Sequence, residues 1–548
     1  MRALARLEAL VIAALLLAVV ATYVAAGRRG VGFGRMYDEE FQLGGIEHTI
    51  DPVAHPSHGY YYGGLYFLPG ELLVAPTLLR AAPAIVAEVR AWPTRPFDQS
   101  AYPSLVDARR RAADEVADPT FVEADRTVFV VIVALTIVWV FVAGWAATGS
   151  AWVALAVAGV VGTSWELSYH GRWIAVDSML AQFTALELAL VSLATRPVSA
   201  ARERWLLLAS AVAAGLGLGS KTTGVFLTLP IFIALALSPH VRGARAWLRR
   251  ALEASVVMFA VFVATTPGFL FEPLHYANDL FLVTDDYNRF GTDHPYGLPR
   301  VIDRLAAIGG YWTTALFSPH IPVALGVSAL ALVGAVVGVR ERQPKVLATL
   351  GFLVAYVAFV SMQRLLIVRN LMLTLPPLAL LAAVGLRRGA RAARRWRAGP
   401  LVVGLACAAV CGLDGVWIWR AASTIGATND DTILASVEDH LLHHKGDRVY
   451  VAPALRAALA TRDGNALAGA KLAAWDDADA VMAYARTLST WRANTPEYAT
   501  YFGSQHANYD YYPTLLTWPT LKPAGNPVVL ISKAKAAALG VTEASLRQ

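Results

Sequence analysis

Between residues 8 and 419 the chain returns repeatedly to apolar runs close to the length of a bilayer span. A helix rises about 1.5 Å per residue, so a hydrocarbon core of about 30 Å needs about 20 apolar residues. The runs are 8–26, 127–147, 151–166, 175–195, 205–219, 222–238, 251–271, 320–339, 346–362, 370–386 and 399–419. Lipid offers backbone amides and carbonyls no partner, so each run is expected to be helical. The expectation is an α-helical polytopic membrane protein of about eleven transmembrane helices. Composition agrees: 56% of residues are hydrophobic, 16% are charged, and the mean hydropathy is +0.48. A soluble chain could not hide that much apolar surface. The first run could be a cleaved signal peptide, but its length and the GRRG flank favour a retained span.

The net charge is +7, but the basic residues sit in short clusters between apolar runs. That is the pattern of membrane orientation and not of a nucleic-acid stripe, so no nucleic-acid partner is expected. With the N-terminus cytoplasmic, the inside loops carry Arg196, Arg202 and Arg204, then Arg242, Arg245, Arg249 and Arg250. Next come Arg340, Arg342 and Lys345, and last Arg387, Arg388, Arg391, Arg394, Arg395 and Arg397. The short outside loops carry only Arg172, Lys221, Arg364 and Arg369. An odd number of spans then puts the tail outside, in a plasma (inner) membrane protein. Cys407 and Cys411 lie one helical turn apart in an apolar run and read as small hydrophobic residues.

Three segments are too polar to span. Residues 27–126 form a long outside loop, in which Asp118-Pro119 reads as an N-cap and a first-turn proline. The stretch LYFLPGELLVAPTLLRAAPAIVAEV is apolar but interrupted by prolines, and is expected along the interface. Residues 272–319 form a second outside loop. Residues 420–548 form the tail, where DDTILASVEDHLLHH reads as a helix, RVYVA as a strand, and NPVVLISKAKAAALG as a strand entering a helix. The expected domains are a transmembrane module, 1–419, and a soluble extracytoplasmic α/β domain, 420–548.

Charged groups at the outer ends of spans are the candidates for chemistry. Asp38 and Glu39, with Glu40, follow the first span, either as a solvated acidic turn or as a general base toward a hydroxyl. Glu166, His170, Arg172 and Asp177 cluster at the junction of the third and fourth spans. Asp177 opens an apolar helix, so it is expected to pair with Arg172 or to line a wet cavity. That group reads equally as a salt bridge pinning two helices. Lys221 stands outside, where the charge rule disfavours it; a phosphate held by its ammonium and by Thr222 and Thr223 would compensate. GLGLGSKT is not a nucleotide loop, because Ser220 stands where glycine should precede the lysine. Arg364 and Arg369 add two outside cations, suited either to phosphate oxygens or to lipid head groups. His48, His55 and His58 lie near Asp38 and Asp51 without any standard metal-ligand spacing; no metal site is assigned, and a divalent metal stays open. The run YFGSQHANYDYYPTLLTWP suits sugar stacking or a buried aromatic cluster.

Six segments together resemble the GT-C-type glycosyltransferases of the protein O-mannosyltransferase and aminoarabinose transferase superfamily. They are MYDEEF, GYYYGGLYFLPGELL, SYHGRWIAVDSML, GLGLGSKTTGVFLTLP, ATTPGFLFEP and VRNLMLTLPPLALLAAVGL, in the family's order. The resemblance implies a polyprenyl-phosphate-linked sugar donor and transfer to an extracytoplasmic acceptor, in a setting of membrane lipids. It maps the family's acidic residue onto Asp38, with Glu39 beside it, its lysine onto Lys221, and its membrane-face aspartate onto Asp177. Arg172 and Arg369 follow less directly. Met36-Tyr37 stands where relatives often have histidine-proline. The rival reading, a lipid or sugar transporter, would call for repeated halves and helices broken at mid-membrane; neither is visible in the sequence.

Overall fold

The structure is a computed structural model. It describes residues 2–31, 37–47, 62–91, 102–289, 298–395, 398–427, 430–443, 446, 448–462, 467, 472–484, 499–502 and 528–546. Two compact units share them, one built chiefly from Met1–Arg28 and Tyr37–Trp419, the other from the chain beyond Arg420.

The first unit is helical. Helices α1 (Arg2–Arg28), α2 (Tyr37–Glu47), α3 (Leu68–Ala91), α4 (Pro103–Val116) and α5 (Pro119–Thr148) come first. Then follow α6 (Ala151–Gly162), α7 (Trp165–Gly171), α8 (Val176–Ala194), α9 (Ala200–Ser220), α10 (Thr228–Ala236) and α11 (Ala244–Thr265). The rest are α12 (Gly268–Phe271), α13 (Pro273–Arg289), α14 (Val301–Thr314), α15 (Ile321–Arg340), α16 (Pro344–Met362), α17 (Leu375–Ala393) and α18 (Gly399–Ala427). Among the described residues, 8 helices are long and apolar enough to cross a membrane, or 9 if α6 and α7, bent by 57°, make one span. The protein is thus a multi-pass membrane protein. The apolar runs at 205–219, 222–238 and 251–271 also fall on helices, α9 to α11, but these are shorter or less apolar than that standard.

One expectation changes. The proline-interrupted stretch after residue 65 is a continuous helix, α3, with Pro76 and Pro83 inside it. A proline removes one amide hydrogen bond, and here the break does not end the helix because α4 braces it. Thr77 donates to Glu115 at 2.6 Å, and the Ser104 hydroxyl donates to Glu88 at 2.6 Å. The start of α5 is as expected: Asp118 caps it, accepting from the Thr120 amide at 2.8 Å, and Pro119 takes the first position. The Thr120 hydroxyl, which donates to the same carboxylate at 2.7 Å, and that amide together hold the Asp118 carboxyl below its usual range.

Helices α8 and α17 bury most of their surface, whereas α1 and α18 expose most of theirs. The central position of α8 explains its polar residues. Glu187 on α8 is buried and accepts from Ser210 on α9 at 3.2 Å, a hydrogen bond between two apolar helices. Small residues let α15 and α17 cross closely: a Cβ on Gly334 would lie 1.8 Å from the Leu381 carbonyl oxygen. Cys407 and Cys411 are free, and Cys411 packs against Gly159.

The second unit holds α19 (Asp430–His443), β1 (Val449–Val451), α20 (Pro453–Arg462), β2 (Ala480–Tyr484), β3 (Ala499–Phe502), β4 (Val528–Ser532) and α21 (Lys533–Ala538). The sheet runs β1-β2-β4-β3, with β1 parallel to β2 and the other two pairs antiparallel. It is a small mixed sheet with apolar clusters on both faces, such as Val481 and Ile531 on one and Met482 and Val528 on the other. The helix, the strand and the strand entering a helix expected in the tail are α19, β1 and β4–α21.

A methyl group at position 334 has no room, whereas Gly326 on the same helix faces open space. Gly334→Ala is therefore expected to lower the thermal unfolding midpoint by several degrees, and Gly326→Ala to leave it unchanged or raise it. Unfolding of the two purified variants in one detergent checks this; equal midpoints would contradict the close crossing.

Candidate functional site

The site is organised by the turn between α7 and α8, residues 172–175, and by Asp177 in the first turn of α8. Asp177 is almost fully buried, with 1% of its side chain exposed. A carboxylate there needs a cation, and it has two: Lys221 Nζ lies 2.5 Å from Oδ1 and Arg369 Nε 3.3 Å from Oδ2. Lys221 also donates to Asn370 Oδ1 at 2.9 Å. The Asn370 carbonyl oxygen in turn accepts from Tyr356 at 2.7 Å. The ammonium thus has one N–H to spare beyond these two bonds. Burial works against its charge, but Asp177 outweighs burial and holds Lys221 above the usual lysine range.

Local sequence explains how Lys221 reaches this place. It caps α9 in an extended conformation, and the chain turns at once into a 3-10 helix, Thr222–Leu227. A Cβ on Gly224 would fall 2.4 Å from the Gly217 carbonyl carbon, so only glycine lets the turn fold back on α9. Gly63 presses on the same end: its amide donates to the Ser220 carbonyl at 3.1 Å, and a Cβ there would be 1.9 Å from the Gly219 oxygen. The glycines of GLGLGSKTTG serve close packing and not a phosphate cradle. Thr222 opens the 3-10 helix half-buried, beside the buried Thr223 hydroxyl.

The same turn receives α2. Glu39 is buried and accepts from Arg126 twice, Nε to Oε1 at 2.8 Å and Nη2 to Oε2 at 2.5 Å. It also accepts from the Ile174 amide at 3.0 Å, while Tyr66 donates to the Ile174 carbonyl at 2.9 Å. Arg126 lies over the Trp173 ring, 4.6 Å from its centroid. The first turn of α2 is therefore fastened three residues before Asp177. Asp38 lies in that turn; its side chain, with those of Tyr37 and Glu40, is outside the described residues, as are His48, Asp51, His55, His58 and the tail aromatics from 503 to 519.

The other candidates separate. Arg172 does not pair with Asp177: it is buried toward α1, its Nη2 3.4 Å from the Ala26 carbonyl oxygen, beside Trp165. Glu166 and His170 face each other at 3.5 Å, and Tyr311 donates to Glu166 at 2.7 Å. Arg364 is exposed, and its carbonyl accepts from the Leu298 amide at 2.9 Å. Arg126, Asn370 and Tyr311 were not singled out in the sequence. For Arg126 a signal was there, an arginine in the first turns of an apolar span.

Residues 119–266 match the family described as dolichyl-phosphate-mannose-protein mannosyltransferase, PMT. Over that segment, about a quarter of its length, the chain is similar to a family of GT-C-type glycosyltransferases. The matched segment carries Arg126, Glu166, His170, Arg172, Asp177, Lys221 and Thr222, and leaves out Asp38, Glu39, Arg364 and Arg369. The chain is similar to the apo crystal structure of ArnT from Cupriavidus metallidurans, at 13% identity over 97% of this chain and 99% of that one, TM-score 0.48. The ArnT structure bound to undecaprenyl phosphate gives 14% identity, 97% and 98% coverage and a TM-score of 0.46. The Archaeoglobus fulgidus oligosaccharyltransferase complex with Zn and sulfate gives 12% identity, 93% and 73% coverage and 0.47. No curated protein sequence matches the chain.

Removing Arg126 would strand the Glu39 carboxylate in the interior, at a cost of about 3–5 kcal/mol. Arg126→Met is expected to lower the unfolding midpoint well below that of Glu39→Gln. The double variant should recover part of the loss, since it leaves neither member of the pair charged without the other. A double variant as unstable as the sum of the single changes would contradict the pairing.

Proposed function

We propose that the protein moves a sugar from a polyprenyl-phosphate-linked donor to an extracytoplasmic acceptor, with inversion at the anomeric carbon. The observation that carries this reading is Lys221, a half-buried lysine held against Asp177 and Asn370 with an N–H left to donate. An immobile ammonium next to a guanidinium suits the phosphate of a lipid carrier, where charge develops as the sugar leaves. Asp38 is the base. Its neighbour Glu39 is committed to Arg126 and positions the helix that carries both. The acceptor oxygen attacks the anomeric carbon and the bond to the phosphate oxygen breaks. The hydroxyl proton passes to Asp38, and the departing phosphate is held by Lys221 and Arg369, with Thr222 at its edge. Arg172, Glu166 and His170 support the turn that presents Asp177, and Arg364 stands where a lipid head group would pass.

The arginine-rich loops support a plasma (inner) membrane orientation with the N-terminus cytoplasmic and about eleven spans. The site then faces outward, where nucleotide sugars are absent and a lipid-borne donor is the accessible one. Residues 1–419 form the transferase module and 420–548 an extracytoplasmic domain.

The test is transfer by purified protein from a small panel of polyprenyl-phosphate sugars. Lys221→Met is expected to lower the rate by about 10²–10³-fold, the cost of one stabilising donor at a developing anion. Lys221→Arg should retain more activity, and Asp38→Asn should abolish transfer while the protein stays folded. Full activity in Asp38→Asn would exclude it as the base, and full activity in Lys221→Met would exclude the phosphate role.

A further inference from the structure

Near the starts of α9 and α11, away from Asp177, three arginines share one carboxylate. Arg204 Nε lies 3.3 Å from Glu253 Oε2, Arg249 Nε 3.4 Å from Oε1, and Arg250 Nη1 3.7 Å from Oε2. The other carboxylate nearby, Glu203, accepts from the Ser238 hydroxyl at 2.6 Å. Even with Glu203 counted, cations outnumber carboxylates. Arg204 precedes Lys221 by 17 positions on one helix, about 25 Å of rise. The cluster therefore belongs to the opposite membrane face from the transferase site.

Beside it lies a narrow cleft, open to its surroundings, between α9, α10 and α11. Leu207, Leu208, Leu235 and Val241 line its apolar part, and Arg204, Arg250, Glu253 and Glu203, the last already bonded to Ser238, its polar part. Arg250 Nη1 is buried there and donates to no acceptor among the described residues. A guanidinium N–H shut away from water is costly unless something accepts from it. The pocket also opens among side chains that suit lipid and not water: Trp205 is 72% exposed, and Leu248 and Leu252 are each 62% exposed. Exposed tryptophan beside arginines is the arrangement of a membrane–water boundary.

We propose that this pocket binds the phosphate head group of an anionic phospholipid of that leaflet. The arginines hold the phosphate, Arg250 Nη1 gains its acceptor, and the leucines take the first carbons of the acyl chains. A free anion would use the arginines but has no use for the apolar lining and the lipid-facing rim. A basic pocket between membrane helices is a recognised way to hold an acidic head group. This site is separate from the transfer reaction and stands whether or not the proposed donor is right.

The test is thermal unfolding of the purified full chain in a non-ionic detergent. Phosphatidylglycerol, phosphatidylcholine or inorganic phosphate is added, each at the same concentration. A ligand that binds only the folded state raises the unfolding midpoint. The expected result is a rise of several degrees with phosphatidylglycerol and none with the other two. Arg204→Gln/Arg250→Gln should lose that rise. Glu253→Gln, which removes the competing carboxylate, should enlarge it. Arg391→Gln/Arg394→Gln, in another basic cluster, should keep it. Equal rises with inorganic phosphate, a full rise in Arg204→Gln/Arg250→Gln, or an equal loss in Arg391→Gln/Arg394→Gln would overturn the proposal. If Arg204→Gln/Arg250→Gln fails to fold, the Glu253→Gln response decides: a larger rise supports the site and a smaller or unchanged one overturns it.

Discussion

A carboxylate at the head of an apolar helix and nearly shut off from water has to be matched by a cation, and Asp177 is that carboxylate. Lys221 arrives from the end of α9, and Arg369 from the 3-10 segment Val368–Thr374 that leads into α17. One charge thus gathers three segments that are far apart in sequence. Helix geometry helps, because Asp177 stands in the first turn of α8, at the positive end of the helix dipole. Breaking the pair would take from Lys221 and Arg369 the carboxylate they share. Buried ion pairs add little net stability once their desolvation is counted; what they fix is geometry. Here the geometry fixed is that of an ammonium with a hydrogen still to give.

A second buried pair works on the same turn. Glu39 and Arg126 hold the start of α2 against Ile174, so the acidic segment after the first span cannot drift from the turn that presents Asp177. The two pairs divide the labour between them. In the proposed reaction, one sets a cation for an anionic leaving group, and the other sets the helix that carries Asp38. Groups placed before the reaction need no rearrangement during it, which is where electrostatic stabilisation of a transition state gains most.

Much of this was legible in the sequence, for physical reasons that differ by residue. The long apolar runs announce helices because lipid leaves the backbone no other choice. Asp177, Lys221 and Arg369 stood out because each is a charge where membrane physics resists one. Asp118 was readable because a cap is a local device. The partners were not readable. Glu39 and Arg126 lie 87 positions apart, and nothing in either neighbourhood names the other. Arg172 is the nearest cation to Asp177 in sequence, yet the intervening turn sends it toward Ala26. Asn370 is one polar residue next to an arginine and drew no notice. Strand β2 escaped because it is central in its sheet and buried on both faces, so its AVMAY segment lacks the alternation that marks a half-exposed strand. The continuity of α3 was missed because its bracing hydrogen bonds come from α4.

The most direct test of the central claim is an experimental structure of the protein with a polyprenyl phosphate bound. The account predicts phosphate density within hydrogen-bond distance of Lys221 Nζ and beside Arg369, with the Asp177–Lys221 pair intact. Phosphate density on the Arg204 and Arg250 side of the membrane, with nothing near Lys221, would contradict it.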